Sequence, residues 1–110
     1  MSSEGSPYAR FKRALRTGNL ALVRAAAGEL PAVRLDDALL IAYLIKEQDF
    51  EQFERAAVRW LGRFALERSS VRIEDLREAA VAFEALAANP DGARRALAAL
   101  CARHGLRVAL

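Results

Sequence analysis

The sequence predicts an all-α fold of about six helices, arranged as three antiparallel hairpins that stack as an α-solenoid or close into a compact helical bundle. Three observations carry this prediction. Apolar residues recur at three-and-four spacing along almost the whole chain, and no segment alternates in the manner of a strand. The breaks between the periodic segments hold helix-ending and helix-starting residues, at Gly18-Asn19, Pro31, Ser69-Ser70 and Asn89-Pro90. The 110 residues are 54% hydrophobic with three prolines, which suits one core and argues against a disordered chain.

Taken in order, Ser6-Pro7 supplies an N-cap and an N1 proline for a first helix that should run to Gly18, a residue suited to the C′ position. Tyr8, Phe11 and Leu15 form its apolar face. Asn19 is expected to cap a second helix carrying Leu20, Leu22, Val23, Ala26 and Ala27, which stops before Pro31. A third helix is expected from about Leu35 to Glu47, with Asp36 and Asp37 near the positive end of its dipole. Its middle is apolar all round, which predicts a central position. Asp49 is expected to cap a fourth helix to about Glu67. There Phe50, Phe53, Ala57, Trp60, Leu61 and Phe64 make the buried face and Gly62 permits close packing. A fifth helix from about Ile73 to Ala88 should end through Asn89 in the αL conformation ahead of Pro90. Asp91 is then expected to cap a sixth, which buries Ala96, Leu97, Leu100 and Cys101 and ends at Gly105-Leu106 in the Schellman form. Residues 7–105 thus read as one helical domain between a disordered N-terminal tail at 1–6 and a C-terminal tail at 106–110.

Two internal similarities support repeated hairpins. Val33-Arg34-Leu35-Asp36-Asp37 is echoed by Val71-Arg72-Ile73-Glu74-Asp75, ahead of the third and fifth helices. Asn19-Leu20 with Val23, Ala26 and Ala27 is echoed by Asp49-Phe50 with Phe53, Ala56 and Ala57. The run Ala14 to Val23 resembles the junction between the two helices of an ankyrin-type repeat, where a glycine and a capping residue separate apolar helices. The ankyrin threonine-proline-leucine-histidine signature and the tetratricopeptide tryptophan-leucine-glycine pattern are both missing, so no family is assigned. The resemblance implies helix pairs stacked side by side, an architecture whose outer faces generally bind macromolecules.

The residue inventory bears on chemistry. The longest apolar run, Ala38 to Ile45, reaches only ~12 Å as a helix against a hydrocarbon core of ~30 Å, so no membrane span is expected. Met1 to Ser6 lacks the apolar stretch of a secretory signal, which predicts a cytoplasmic protein. Cys101 is the only cysteine, excludes an internal disulfide and reads as an inert buried thiol. His104 is the only histidine, so any Ser-His-Asp, Cys-His or metal arrangement must use it. Cys101 and His104 supply two ligands where structural zinc needs four, and an imidazole near a helix C-terminus is explained by the dipole. The acidic pairs Asp36-Asp37 and Glu74-Asp75 sit in first helical turns, where dipole compensation explains them too. The glycines are isolated and form no phosphate loop. No catalytic residue, metal site or cofactor is expected, and the chain is not expected to be an enzyme.

Charge is the informative polar feature. The formal net charge is only +3, but its sign alternates in blocks, basic over 1–34, 55–72 and 94–110 and acidic over 35–54 and 73–93. Arg55, Arg59 and Arg63 recur every fourth residue opposite Phe53, Trp60 and Phe64 and should form one exposed ridge. Glu51 and Glu67 are spaced to pair with Arg55 and Arg63, leaving Arg59 the freest. The first helix adds Arg10, Lys12, Arg13 and Arg16, and if the two surfaces adjoin they would make a track of seven cations. The expected function is a helical protein-protein interaction or scaffold module, with Arg55, Arg59, Arg63, Arg10 and Arg13 as partner-binding residues. The alternative is a nucleic-acid-binding accessory protein that uses the same two helices. A homodimer is also expected, from alanine-rich helices and the apolar tail residues Leu106, Val108 and Leu110, and no membrane partner is.

Overall fold

Capping chemistry sets the first hairpin. The Ser6 hydroxyl accepts the Ala9 N–H at 3.0 Å, Pro7 occupies the first helical position, and α1 runs Pro7–Thr17. Gly18 then turns the chain at φ 69°, a left-handed conformation that disfavours any residue with a Cβ. Asn19 accepts the Leu22 N–H and starts α2, Leu20–Ala27. The computed structural model describes residues 5–108, and these form six α-helices and no strand. The expectations for residues 1–4 of the N-terminal tail and for Leu110 lie outside the described residues.

Three further elements follow the same logic with local departures. α3 spans Leu35–Gln48 and α4 spans Phe53–Glu67, joined by a short 3-10 turn at Phe50–Gln52. Asp49 does not cap α4 as expected. Its carboxylate is drawn 3.0 Å from the Arg24 guanidinium of α2, and the 3-10 turn displaces the helix start to Phe53. That turn also swings Phe50 out of the expected buried face, so the echo between Leu20 and Phe50 fails: Leu20 is buried, whereas Phe50 is 68% exposed. Gly62 has nothing within 4 Å of where a Cβ would stand, so it serves no close packing and only weakens α4, by about 1 kcal/mol relative to alanine.

α5 ends at Ala85, short of the expected Ala88, and α6 runs Pro90–Arg103. Asn89 is not left-handed: its φ is −145° and its side chain accepts the Gly92 N–H, so Asn89 is the cap of α6 and Asp91 is not. Pro90 takes the N1 position, and this fixes the cap one residue before it. At the far end both Schellman bonds form, Leu106 N–H to Cys101 C=O and Gly105 N–H to Ala102 C=O, with Gly105 at φ 79°. Leu106 thereby folds back into the core, and Val108 packs beside it.

The hairpins α1–α2, α3–α4 and α5–α6 pack in chain order into a helical bundle, and α3 is its middle wall. Leu35, Leu39, Ala42 and Tyr43 face a large core completed by Trp60, Phe64, Phe83, Leu97 and Leu100. On the opposite side Ile41 and Leu44 meet a smaller core of Phe11, Leu15 and Val23 from α1 and α2. A helix apolar on both sides is what a central position requires. Leu22 and Ala96, expected inside, are exposed on α2 and α6.

Candidate partner-binding face

Going round α4 from its buried face, Phe64 and Trp60 point into the core, and Ala57 and Leu61 turn toward α5. Glu54 and Val58 follow, then Arg55, Arg59 and Arg63, the last toward α3. Trp60 is fixed by its indole N–H, which donates to Leu35 C=O at 2.8 Å, and by stacking on Phe64 at 4.8 Å. The Phe64 ring rides on α4 with Trp60, but rolling the helix would break the indole bond to Leu35 and the edge contact of Trp60 with Phe83 of α5 at 5.7 Å, so the outward order of its polar residues is set by the core.

The three ridge arginines differ. Arg63 is half-buried, donating to Val33 C=O at 2.8 Å and pairing with Glu67 at 2.7 Å as the spacing predicts. Arg55 and Arg59 are exposed, and among the described residues neither has a carboxylate within ion-pair distance. The expected Glu51–Arg55 pair does not form. With Glu51, Glu54 and Val58 they line a shallow surface depression of about 510 Å3. Arg10 pairs with Glu29 at 3.1 Å, Lys12 turns inward to Asp37 at 3.0 Å, and Arg13 is exposed on α1. Of the seven cations, Arg10, Lys12 and Arg63 are engaged with Glu29, Asp37 and Glu67, so seven free charges do not line up as one track.

Beside the ridge lies a feature the charge pattern did not reveal. A groove of about 590 Å3 runs between α4 and α5, lined by Phe50, Phe53, Val58 and Leu61, with Phe83 below. Phe53 meets Phe83 edge-on at 6.1 Å, which makes the floor rigid. Phe50 and Val58 stand 68% and 61% exposed at its margin. Its charged lining residues are Glu51, Glu54 and Glu84, with no cation among them. Val58 was the available signal, an apolar residue set between Arg55 and Arg59 on the side read as solvated.

A second polar cluster joins the ends of three helices. The Ser70 hydroxyl lies 2.7 Å from His104 Nδ1, His104 Nε2 lies 3.2 Å from Asp75 Oδ2, and the imidazole sits edge-on to Phe64. Hydroxyl, imidazole and carboxylate are therefore in line, as in a nucleophilic relay. Asp75 Oδ2 also accepts the Arg72 N–H at 2.9 Å, the capping bond of α5. That backbone bond, His104 and Arg103 together hold the Asp75 carboxyl below its ordinary value. What this row does mechanically is tie the end of α6 to the α4–α5 loop and the start of α5.

Cys101 is fully buried, and burial, with Asp36 nearby, pushes its thiol up to about 11, so it stays protonated at neutral pH. Asp37 is buried too, but for more than the dipole reason: it accepts the Tyr8 hydroxyl at 3.1 Å as well as Lys12. Among the described residues no group of His, Cys, Asp or Glu could hold a metal ion. No helix formed by the described residues is long and apolar enough to cross a membrane. Compared with known protein families, curated proteins and solved structures, the chain matches none.

Proposed function

We propose that this protein is a helical protein-protein interaction module that presents the α4 face to a protein partner. The observation that carries the reading is the α4–α5 groove, where Phe50 and Val58 keep large apolar side chains in water beside the unpaired Arg55 and Arg59. Clustered exposed apolar groups with a polar rim are what a partner covers favourably. A nucleic-acid role has less support. Two of the cations it would use, Arg10 and Lys12, are tied to Glu29 and Asp37, and Glu51 and Glu54 stand beside Arg55. Three carboxylates around the groove would repel phosphates.

A photo-cross-linking amino acid at Val58, expressed in the cell the protein comes from, tests the proposal against the same label at the exposed Ala102 of α6. The expected result is a discrete protein adduct from position 58 that survives nuclease and falls several-fold when Arg55 and Arg59 are changed to alanine. Adducts that vanish with nuclease, or equal labelling at both positions, would overturn it.

A further inference from the structure

We infer that the α4–α5 groove takes an amphipathic helix whose apolar stripe is flanked by lysine or arginine; the inference rests on the interaction reading above and gives that partner a chemistry. Two independent features point to it. The first is shape. The groove is the furrow between two antiparallel helices, about 590 Å3, with Phe53 and Phe83 as a fixed floor and Phe50 and Val58 rising at its margin. A third helix laid in such a furrow buries three or four apolar side chains at i, i+3, i+4 and i+7 spacing.

The second feature is charge. Glu51 and Glu54 stand on the α4 bank and Glu84 on the α5 bank, so both banks are acidic at the Phe50 end. None of the three has an ion-pair partner among the described residues; of the other described glutamates Glu29, Glu47, Glu67 and Glu78 are paired, and only Glu74, outside the groove, is not. An approaching helix therefore meets carboxylates on both flanks, and cations at its flanking positions would satisfy them. Beyond the α4 bank, Arg55 and Arg59 would oppose basic residues placed further out, so the favoured cations are those next to the apolar stripe. This local preference runs against the protein's overall charge of +3, which at long range attracts anions. A preference for a basic helix is thus a property of the groove and cannot arise from net charge.

The test uses two fluorescently labelled designed helical peptides with the same leucine stripe, one flanked by lysines and one by glutamates. Each is titrated by anisotropy against the full chain and against the variants E54K/E84K and V58D. All three substituted residues are exposed, and unchanged helical circular dichroism confirms that each variant folds. The lysine peptide is expected to bind the natural chain about tenfold or more tightly than the glutamate peptide. E54K/E84K should reverse that order, and V58D should weaken both peptides. Equal binding of the two peptides, or a lysine preference that E54K/E84K leaves unchanged, would overturn the inference. Should the peptides fail while position 58 still cross-links to a protein, the interaction module stands and only its basic-helix partner falls.

Discussion

The starts of α3 and α5 share one sequence motif and live in different surroundings. Arg34 and Arg72 are the capping positions, Leu35 and Ile73 the first helical residues, and Asp37 and Asp75 the third. Yet Leu35 is 4% exposed and Ile73 71%. Asp37 is buried and takes a hydroxyl and an ammonium from α1. Asp75 stays near water and takes an imidazole from α6 and the α5 backbone. The shared motif specifies where a helix begins, because capping is a local matter. What surrounds that helix depends on which hairpin arrives beside it, and α3 is covered on both sides while α5 is not.

Substitutions at matched positions sharpen the contrast. Leu35→Ala should cost about 2–5 kcal/mol, the usual range for emptying a buried leucine site, whereas Ile73→Ala should change stability by less than about 0.5 kcal/mol. Urea unfolding of the two variants reads the difference directly, and equal effects would break the comparison. Asp37→Ala comes next, with a loss of about 1–2 kcal/mol, because it removes the buried carboxylate that the Lys12 ammonium and the Tyr8 hydroxyl of α1 both bond. Its signature should be early loss of α1 and α2, visible as a pre-transition in circular dichroism.

Asp75 carries the clearest dependence on acid. Its carboxyl is held below the ordinary value of 3.8 in the folded state, so the folded protein releases that proton more readily than the unfolded chain. The stabilisation is therefore fully present above about pH 4 and is lost as the pH falls through the folded value. Between pH 6 and pH 3 the urea midpoint of the natural chain should fall further than that of Asp75→Asn. Parallel midpoints would show that His104 and the Arg72 N–H do not discriminate the charged carboxylate.

Much of this architecture was legible because it is local. Ser6-Pro7, Gly18, Asn19 and Gly105-Leu106 each act within five residues, and the apolar girdle of α3 announced a helix covered on two sides. Some departures were local too, such as Asn89 capping α6 ahead of Pro90, and others came where a distant group intervened. Asp49 could not cap α4 with Arg24 beside it, and the 3-10 turn that turned Phe50 outward has no periodic signature. Arg55, Arg59 and Arg63 were expected to form one exposed ridge, but only Arg55 and Arg59 are exposed, since Arg63 reaches Val33 C=O ahead of α3. The groove escaped for a similar reason. Spacing tells which residues share a side of a helix, and it does not tell which side is left without a neighbour. Ser70 and His104, 34 residues apart in the chain, meet because α6 packs along α5 and its last turn reaches the α4–α5 loop.

The two cores meet at α3: one is shared with α4, α5 and α6, and the other holds α1–α2 through Ile41 and Leu44 and is reinforced by Asp37. Native-state hydrogen exchange at increasing urea measures this directly. Amides in α1 and α2 should exchange through an opening of lower free energy than those of α3, α4 and α6, and Asp37→Ala should lower the first without moving the second. One common opening free energy for all six helices, shifted as a whole by Asp37→Ala, would contradict it.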